Sequence, residues 1–457
     1  MRDSFTEERV SNPDQGLNRR SVLKLSGASL AAMSGTAGCL SSGGGGGNTG
    51  SQNDNVKFWH KETGSKSLMK NLAQGFGKGN VTVNSFAESK IPSQVQSSLS
   101  AGQPPNVLQS KIRSAQLLNG NNALSAKSAQ NVMERVGWDN WFSGPKSIVG
   151  GQDAYAIPWY AWILMTFYRK SEWEEKGLPE PTTWSEIEEC AKALHNPDNN
   201  KYGIGTGSKH NYYTTECFQN FAMSNGARVF NSDGEIIFDS DEMVEALEFY
   251  AHLHNDYGLP GQNSYPTIKQ MYFQENTSLV LWSDWLFSSI WNEASKEMAK
   301  DTGIVGHVKK KKKSTYGTVN TFSILKTQDE QQMKAAEDFA YHMQQGEPYL
   351  RWLHSVPLGP NPTTKTTANS KEFKSGKYAP DDAKEMFKVF SEELSVIREG
   401  FSTLKRFGTV NGKSFSGYGA ITSELLISEA VTRVIKGEDA QTVAEEQAEK
   451  MRNVISN

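Results

Sequence analysis

Hydrophobic and polar positions fall into segments of two kinds along this chain, and their order predicts the architecture. Val56-Lys-Phe-Trp-His60 alternates and is rich in β-favouring residues, which predicts a first strand. Ser65 to Phe76 then places Leu68, Leu72 and Phe76 at helical spacing. Val81 to Phe86 predicts a second strand, Ser93 to Ala101 a short helix stopped by Gly102, and Asn106 to Ser110 a third strand. Strand, helix, strand, helix, strand predicts an α/β body with a parallel sheet and right-handed crossovers.

The chain is organised around Gly151 to Arg169. It begins as a turn, runs into Tyr155-Ala-Ile157, meets Pro158, and continues as the dense apolar run Trp159 to Tyr168. Pro158 lacks an N–H and holds Ile157 extended, so it is not expected within a central ladder. The pattern predicts a crossover, in which one strand ends and a second begins between two bodies. Trp159, Tyr160 and Trp162 then either border a ligand cleft at a domain junction or serve as core aromatics.

Further on, Thr183 and Glu186 have capping-box spacing ahead of a helix. Tyr202-Gly-Ile-Gly-Thr-Gly207 reads as strand and tight turn, because neither a Walker lysine nor a G-x-G-x-x-G pattern is present. Asp241 to Tyr257 predicts a helix with Met243, Leu247, Tyr250 and Leu253 on one side. His252 and His254 within it are two apart, which is poor spacing for shared metal ligation on a helix. Phe273 to Trp285 predicts a second aromatic-rich strand, Lys309 to Lys313 a solvated loop, and Gly317 to Leu325 another strand. Lys334 to Gln345 predicts an amphipathic helix, and the last sixty residues are mainly helical around Gly437.

Composition narrows the function classes. The 457 residues allow two or three domains, and 37% hydrophobic residues with eleven Trp indicate a folded body. Net charge is −3; the first 38 residues carry five basic and four acidic side chains, leaving about −4 for the rest. Such a body gives no electrostatic reason to expect nucleic acid as partner. Three cysteines make no disulfide scaffold: Cys190 and Cys217 read as buried thiols, with a bond between them left open.

Asn18-Arg-Arg-Ser-Val-Leu-Lys24, the short apolar stretch Leu25 to Gly38, and Thr36-Ala-Gly-Cys39 resemble a twin-arginine (Tat) signal ending in a lipobox, with Cys39 lipidated. Ser41 to Asn53 is a Gly/Ser-rich tether reaching on the order of 20 Å. The expected localisation is the extracellular face of the membrane, held by lipid.

In this order the chain resembles the family 1 extracellular solute-binding proteins of sugar ABC importers. The landmarks are Phe58-Trp-His-Lys-Glu-Thr-Gly64, Ala101-Gly-Gln-Pro-Pro-Asn-Val107, Tyr155-Ala-Ile-Pro158, Gly177-Leu-Pro-Glu-Pro-Thr-Thr-Trp184, Glu245-Ala-Leu-Glu-Phe-Tyr250, Phe273 to Trp285, and Val356-Pro-Leu-Gly359. The resemblance implies a two-lobed, type II periplasmic-binding-protein-like α/β fold. Each lobe would be a mostly parallel sheet flanked by helices, with a hinge between them. Crossovers are expected at Pro158, near 279–283 and near 322–325. The partition is a signal at 1–38, lipidated Cys39 and linker at 39–54, first lobe at 55–157 and 281–323, and second lobe at 158–280 and 324–457.

A sugar presents hydroxyls at its edges and apolar C–H patches on its faces, which aromatic rings and hydrogen-bonding side chains match. Trp59, Trp159, Tyr160, Trp162, Trp282 and Trp285 are the candidates for stacking; His60, Glu62, Gln109, Asp284 and Asn320 are those for hydrogen bonds. The expected partners are a carbohydrate ligand and membrane permease subunits, with the chain a monomer and no cofactor or metal. The rival class is a secreted glycosidase, for which Asp284 with Glu62 is the one carboxylate pair to nominate.

Overall fold

The computed structural model describes residues 55–327, 329–390 and 393–456. The leader, Cys39 and the linker to residue 54 lie outside the described residues. Strands β1 (Val56–His60), β2 (Val81–Ser85) and β3 (Val107–Lys111) lie parallel, as the strand–helix succession predicts, and their order is β2-β1-β3. Next along the chain come β4 (Ile157–Arg169), β5 (Leu279–Ser283), β6 (Thr302–Val305), β7 (Val308–Lys309), β8 (Lys313–Ile324), β9 (Asn361–Pro362) and β10 (Leu404–Lys405), and in the sheet β8 lies beside β3 with β4 beyond it.

The two longest strands, β4 and β8, run antiparallel to each other and change partners along their length. The C-terminal half of β8 continues the first sheet, with Gln109 opposite Phe322 and Lys111 opposite Asn320. The C-terminal half of β4 instead holds β5 and β6, with Met165 opposite Trp282 and Phe167 opposite Ile304. The N-terminal half of β8 carries β7 and β10. One pair of strands thus belongs to two bodies.

The break expected at Pro158 does not occur. β4 is continuous through it, and the ladder with β8 slips in register between Pro158 and Tyr160. A bulge is where a strand tolerates a missing N–H, and the freed carbonyls find other donors. Thr363 Oγ1 donates to Pro158 O at 2.9 Å and to Trp159 O at 3.1 Å.

The strand expected over Phe273 to Trp285 shrinks to Leu279–Ser283. Phe273 instead closes the helix Tyr265–Phe273, and Glu275, at φ +60°, turns the chain before β5. The lysines at 309–313 form the mostly exposed β7–β8 turn, as expected, and Lys310, Lys311 and Lys313 also pair with carboxylates. Lys310 bonds Glu245 and lies 4.2 Å over the Trp184 ring; Lys313 lies 2.6 Å from Glu399. The other local signals produce the elements they specify. Thr183 and Glu186 form the reciprocal capping box of helix Trp184–Leu194, and Asp241–Tyr257 is one helix. Gly437, at φ +94°, separates Leu426–Ile435 from Ala440–Ser456.

Packing ties the later chain to both ends of the β4–β8 pair. Residues 281–323 were assigned to the first lobe, yet β5 and β6 pair with the far half of β4. Residues 324–457 were assigned to the second, yet Phe339 of helix Glu330–Met343 lies 5.0 Å from Phe58 of β1. The chain's last two helices, Leu426–Ile435 and Ala440–Ser456, pack beside Asp241–Tyr257. The reason is the long reach of β8, which returns the chain to the first sheet at its end.

Candidate functional site

The register of the crossing strands aligns Lys111 with Asn320 and Asn320 with Tyr160. Trp162 sits opposite Thr318 two residues along. Directly paired residues share a sheet face, and positions two apart return to it. Lys111, Tyr160, Trp162, Tyr316, Thr318 and Asn320 therefore occupy one face where the two bodies meet. The loop after β1 adds Lys61 and Glu62, so the site adjoins the C-terminal ends of parallel strands, the usual ligand position in α/β sheets.

On the first-body side, Tyr160 OH donates to Glu62 Oε1 at 2.7 Å, Gln109 Nε2 donates to the same oxygen at 3.2 Å, and Lys61 Nζ lies 2.6 Å away. Burial pushes the Glu62 carboxyl up, but the Lys61 charge and these three donors outweigh it and leave it below the ordinary carboxylate range. His60 is buried beside them and accepts the Glu62 N–H on Nδ1 at 3.2 Å. Burial holds its pKa down at about 4, so the ring is neutral at pH 7.

On the second-body side, Arg406 is the hub. Its guanidinium donates to Gly317 O at 2.7 Å, Tyr212 OH at 3.1 Å, Tyr316 OH at 3.2 Å and Thr318 Oγ1 at 3.3 Å. Tyr316 OH in turn donates to Glu216 Oε1 at 3.0 Å, and burial raises the Glu216 carboxyl. Trp162 meets the Tyr316 ring edge-on at 6.0 Å and stays half-buried.

Five of the eleven residues named from sequence, Glu62, Gln109, Tyr160, Trp162 and Asn320, converge at this crossing, with His60 buried against them. The side-chain oxygen of Asn320 is buried without a partner, a polar group the fold itself does not satisfy. The other five sit elsewhere. Trp159 is a core residue: it is fully buried, its ring stacks on Trp352 at 4.9 Å, and its indole N–H donates to Met343 O at 3.1 Å. The bulge turns it inward, so the expectation that it stacks on a ligand gives way to packing. Trp59 packs on Phe86 at 4.7 Å. Trp282 is buried between Tyr213 and Tyr265.

Asp284 is fully buried and accepts the Ile163 N–H at 3.2 Å and an Asn361 Nδ2–H at 2.8 Å. It staples the edge of β4 at the crossing, filling the gap between β9 and β5. Trp285 follows it, half-buried, its ring so close to Gly359 that a Cβ there would lie 2.9 Å away.

Lys61, Lys111, Tyr212, Glu216, Tyr316, Thr318 and Arg406 were not singled out from sequence. One signal existed: Tyr316, Thr318 and Asn320 place polar groups at every second position of a strand that is otherwise buried. Arg406 and Glu216 carry no local signal, since only the tertiary fold brings them together.

Sequence comparison aligns residues 67–381 with the family of bacterial extracellular solute-binding proteins. The chain belongs to this family. The putative ABC transporter periplasmic-binding protein YcjN of Escherichia coli K12 is 26% identical over 413 residues, covering 88% of this chain and 93% of that protein. Among solved structures, an ABC transporter solute-binding protein from Agrobacterium radiobacter K84 in complex with ribitol superposes with a TM-score of 0.67 at 16% identity, over 87% of this chain and 98% of that one. Maltose-bound MalE3 of T. maritima gives 0.65 at 16% identity, over 87% and 99%. These likenesses establish the two-lobed α/β fold.

In this solute-binding protein no helix among the described residues is long and apolar enough to cross a membrane. No cluster of three or more His, Cys, Asp or Glu among them is arranged to hold a metal. Cys190 and Cys217 are buried free thiols, which answers the pairing left open above.

Proposed function

We propose that this chain is the extracellular binding component of an ABC importer and holds a sugar, oligosaccharide or polyol between its lobes, delivering it intact to membrane permease subunits. The observation that carries the reading is the single face on which Tyr160, Trp162, Thr318 and Asn320 meet at the strand crossing. It combines a half-buried indole for C–H faces with polar groups for hydroxyls, and it lies where relative movement of the lobes opens and closes access. The relatives point the same way: the names of the structures above carry ribitol and maltose.

The first lobe in this reading comprises residues 55–160 with the end of β8 and the helices to about residue 390; the second holds 161–319 and the C-terminal helices. Trp285, on the loop beside the Asp284 staple, is kept as a candidate stacking residue. Ligand-driven closure presents one surface to the permease, and the chain acts as a monomer. The twin-arginine leader and Cys39 are proposed to export the protein and tether it by lipid, the linker letting the lobes stand off the membrane.

A glycosidase is the weaker reading. Glu62 is neutralised by Lys61, and Asp284 is committed to the backbone of β4, so the nominated pair does not face a common substrate. Incubating the purified protein with labelled mono-, di- and oligosaccharides and polyols tests the reading. Saturable binding with the ligand recovered unchanged supports it; cleavage products, or binding to none of the panel, overturn it.

A further inference from the structure

Resting on the reading above, we propose that the ligand is a polyhydroxylated monoanion, a sugar acid with one carboxylate, and that Lys111 Nζ receives that carboxylate. Four cations, Lys61, Lys111, Arg113 and Arg406, face three carboxylates, Glu62, Glu88 and Glu216. Each carboxylate is already engaged. Glu62 pairs with Lys61 at 2.6 Å. Glu88 accepts from Ser114 Oγ at 2.7 Å and from the Lys111 N–H at 3.2 Å, with Arg113 Nε at 3.9 Å. Glu216 joins Arg406 through Tyr316 OH, at 3.0 and 3.2 Å.

Lys111 is the cation left over. It is half-buried at the end of β3, opposite Asn320, and among the described residues no acceptor or carboxylate lies within bonding distance of its ammonium. Burial, then the charges of Lys61 and Arg113, lower its pKa against the pull of Glu88 and Glu216. Nature rarely leaves a desolvated ammonium uncompensated unless something else supplies the counter-charge. The group lacking a partner is a single ammonium, which one carboxylate matches better than a phosphate monoester carrying about −1.5 to −2 charges at neutral pH. The neighbouring unpartnered oxygen of Asn320 is an acceptor, suited to a hydroxyl on the same ligand.

The test is calorimetric titration of the full-length chain with matched compounds: glucose and gluconate, galactose and galacturonate, mannitol and mannonate, and glucose 6-phosphate. The expected result is that at least one acid binds ten-fold or more tighter than its neutral counterpart and tighter than the phosphate. Lys111→Met, which keeps the stem and removes the charge, should collapse that acid-to-neutral ratio to near one; melting temperature checks that it folds. Preference for the neutral member of every pair, tighter binding of the phosphate, or a preference that survives Lys111→Met overturns the inference while leaving the binding function standing. Binding of no compound in this panel or the wider neutral panel overturns both.

Discussion

Asp284 and Ile163 exchange two hydrogen bonds: the Asp284 carboxylate accepts the Ile163 N–H at 3.2 Å, and the Asp284 N–H donates to Ile163 O at 3.1 Å. The pair closes the open edge of β4 where the strand passes between lobes. Removing the side chain in Asp284→Ala leaves the Ile163 N–H and an Asn361 N–H buried and unbonded, at about 1–3 kcal/mol each. A melting temperature lowered by several degrees is expected, read by calorimetry against wild type.

The same carboxylate is buried, and burial pushes its pKa well above 3.8. A raised folded-state value means that its stabilising contribution is complete below the unfolded-state pKa and is lost as pH rises through the folded one. Asp284→Asn keeps an acceptor for Ile163 without a charge to desolvate. Its stability relative to wild type should therefore rise between pH 4 and pH 8; a difference that stays flat across urea titrations at those two pH values contradicts the assignment.

His354 works in the opposite sense. Its Nε2–H donates to Phe373 O at 3.1 Å and its Nδ1 accepts the Tyr378 N–H at 3.2 Å, a pattern only the neutral ring can make. Burial depresses its pKa to about 4, as it does for His60. Stability from both is fully present above the unfolded-state value of 6.5 and is lost as pH falls toward 4. Each such shift corresponds to about 3 kcal/mol. His354→Gln should flatten the decline in urea midpoint between pH 7 and pH 4.5.

Two tryptophans three residues apart in one strand should behave differently. Trp159→Ala opens a cavity among Phe322, Tyr160 and Trp352 and is expected to cost about 3–5 kcal/mol of stability. Trp162→Ala and Trp285→Ala should leave the melting temperature nearly unchanged and weaken ligand binding at least tenfold, about 1.4 kcal/mol. Unchanged affinity in either removes that ring from the site.

That contrast also marks how far sequence alone carries. The parallel α/β start was legible from β1 to β3 because short β-favouring runs alternate there with helix-forming segments. The capping box at Thr183 and the stop at Gly437 were legible because their chemistry is local. Which face of β4 looks into the cleft was not. It depends on the slip at Pro158, which is fixed by pairing with β8 more than 150 residues away and by the hydroxyl of Thr363, a still later residue. Trp159 and Trp162 look alike until that register is known. Lys111 and Arg406 were missed for the same reason: each gains its meaning from groups that the fold delivers from distant segments. Asp284 was noticed for its place in an aromatic run, but its carboxylate is consumed by backbone that no local pattern reveals.

The central claim is that the crossing face is where ligand sits. A crystal structure of the protein with a sugar, polyol or sugar acid that raises its melting temperature tests it most directly. The account predicts intact ligand within hydrogen-bond distance of Asn320 and in van der Waals contact with the Trp162 ring, with atoms of both lobes touching it. Density for the ligand on the outside of one lobe, with Tyr160, Trp162 and Asn320 untouched, would contradict it.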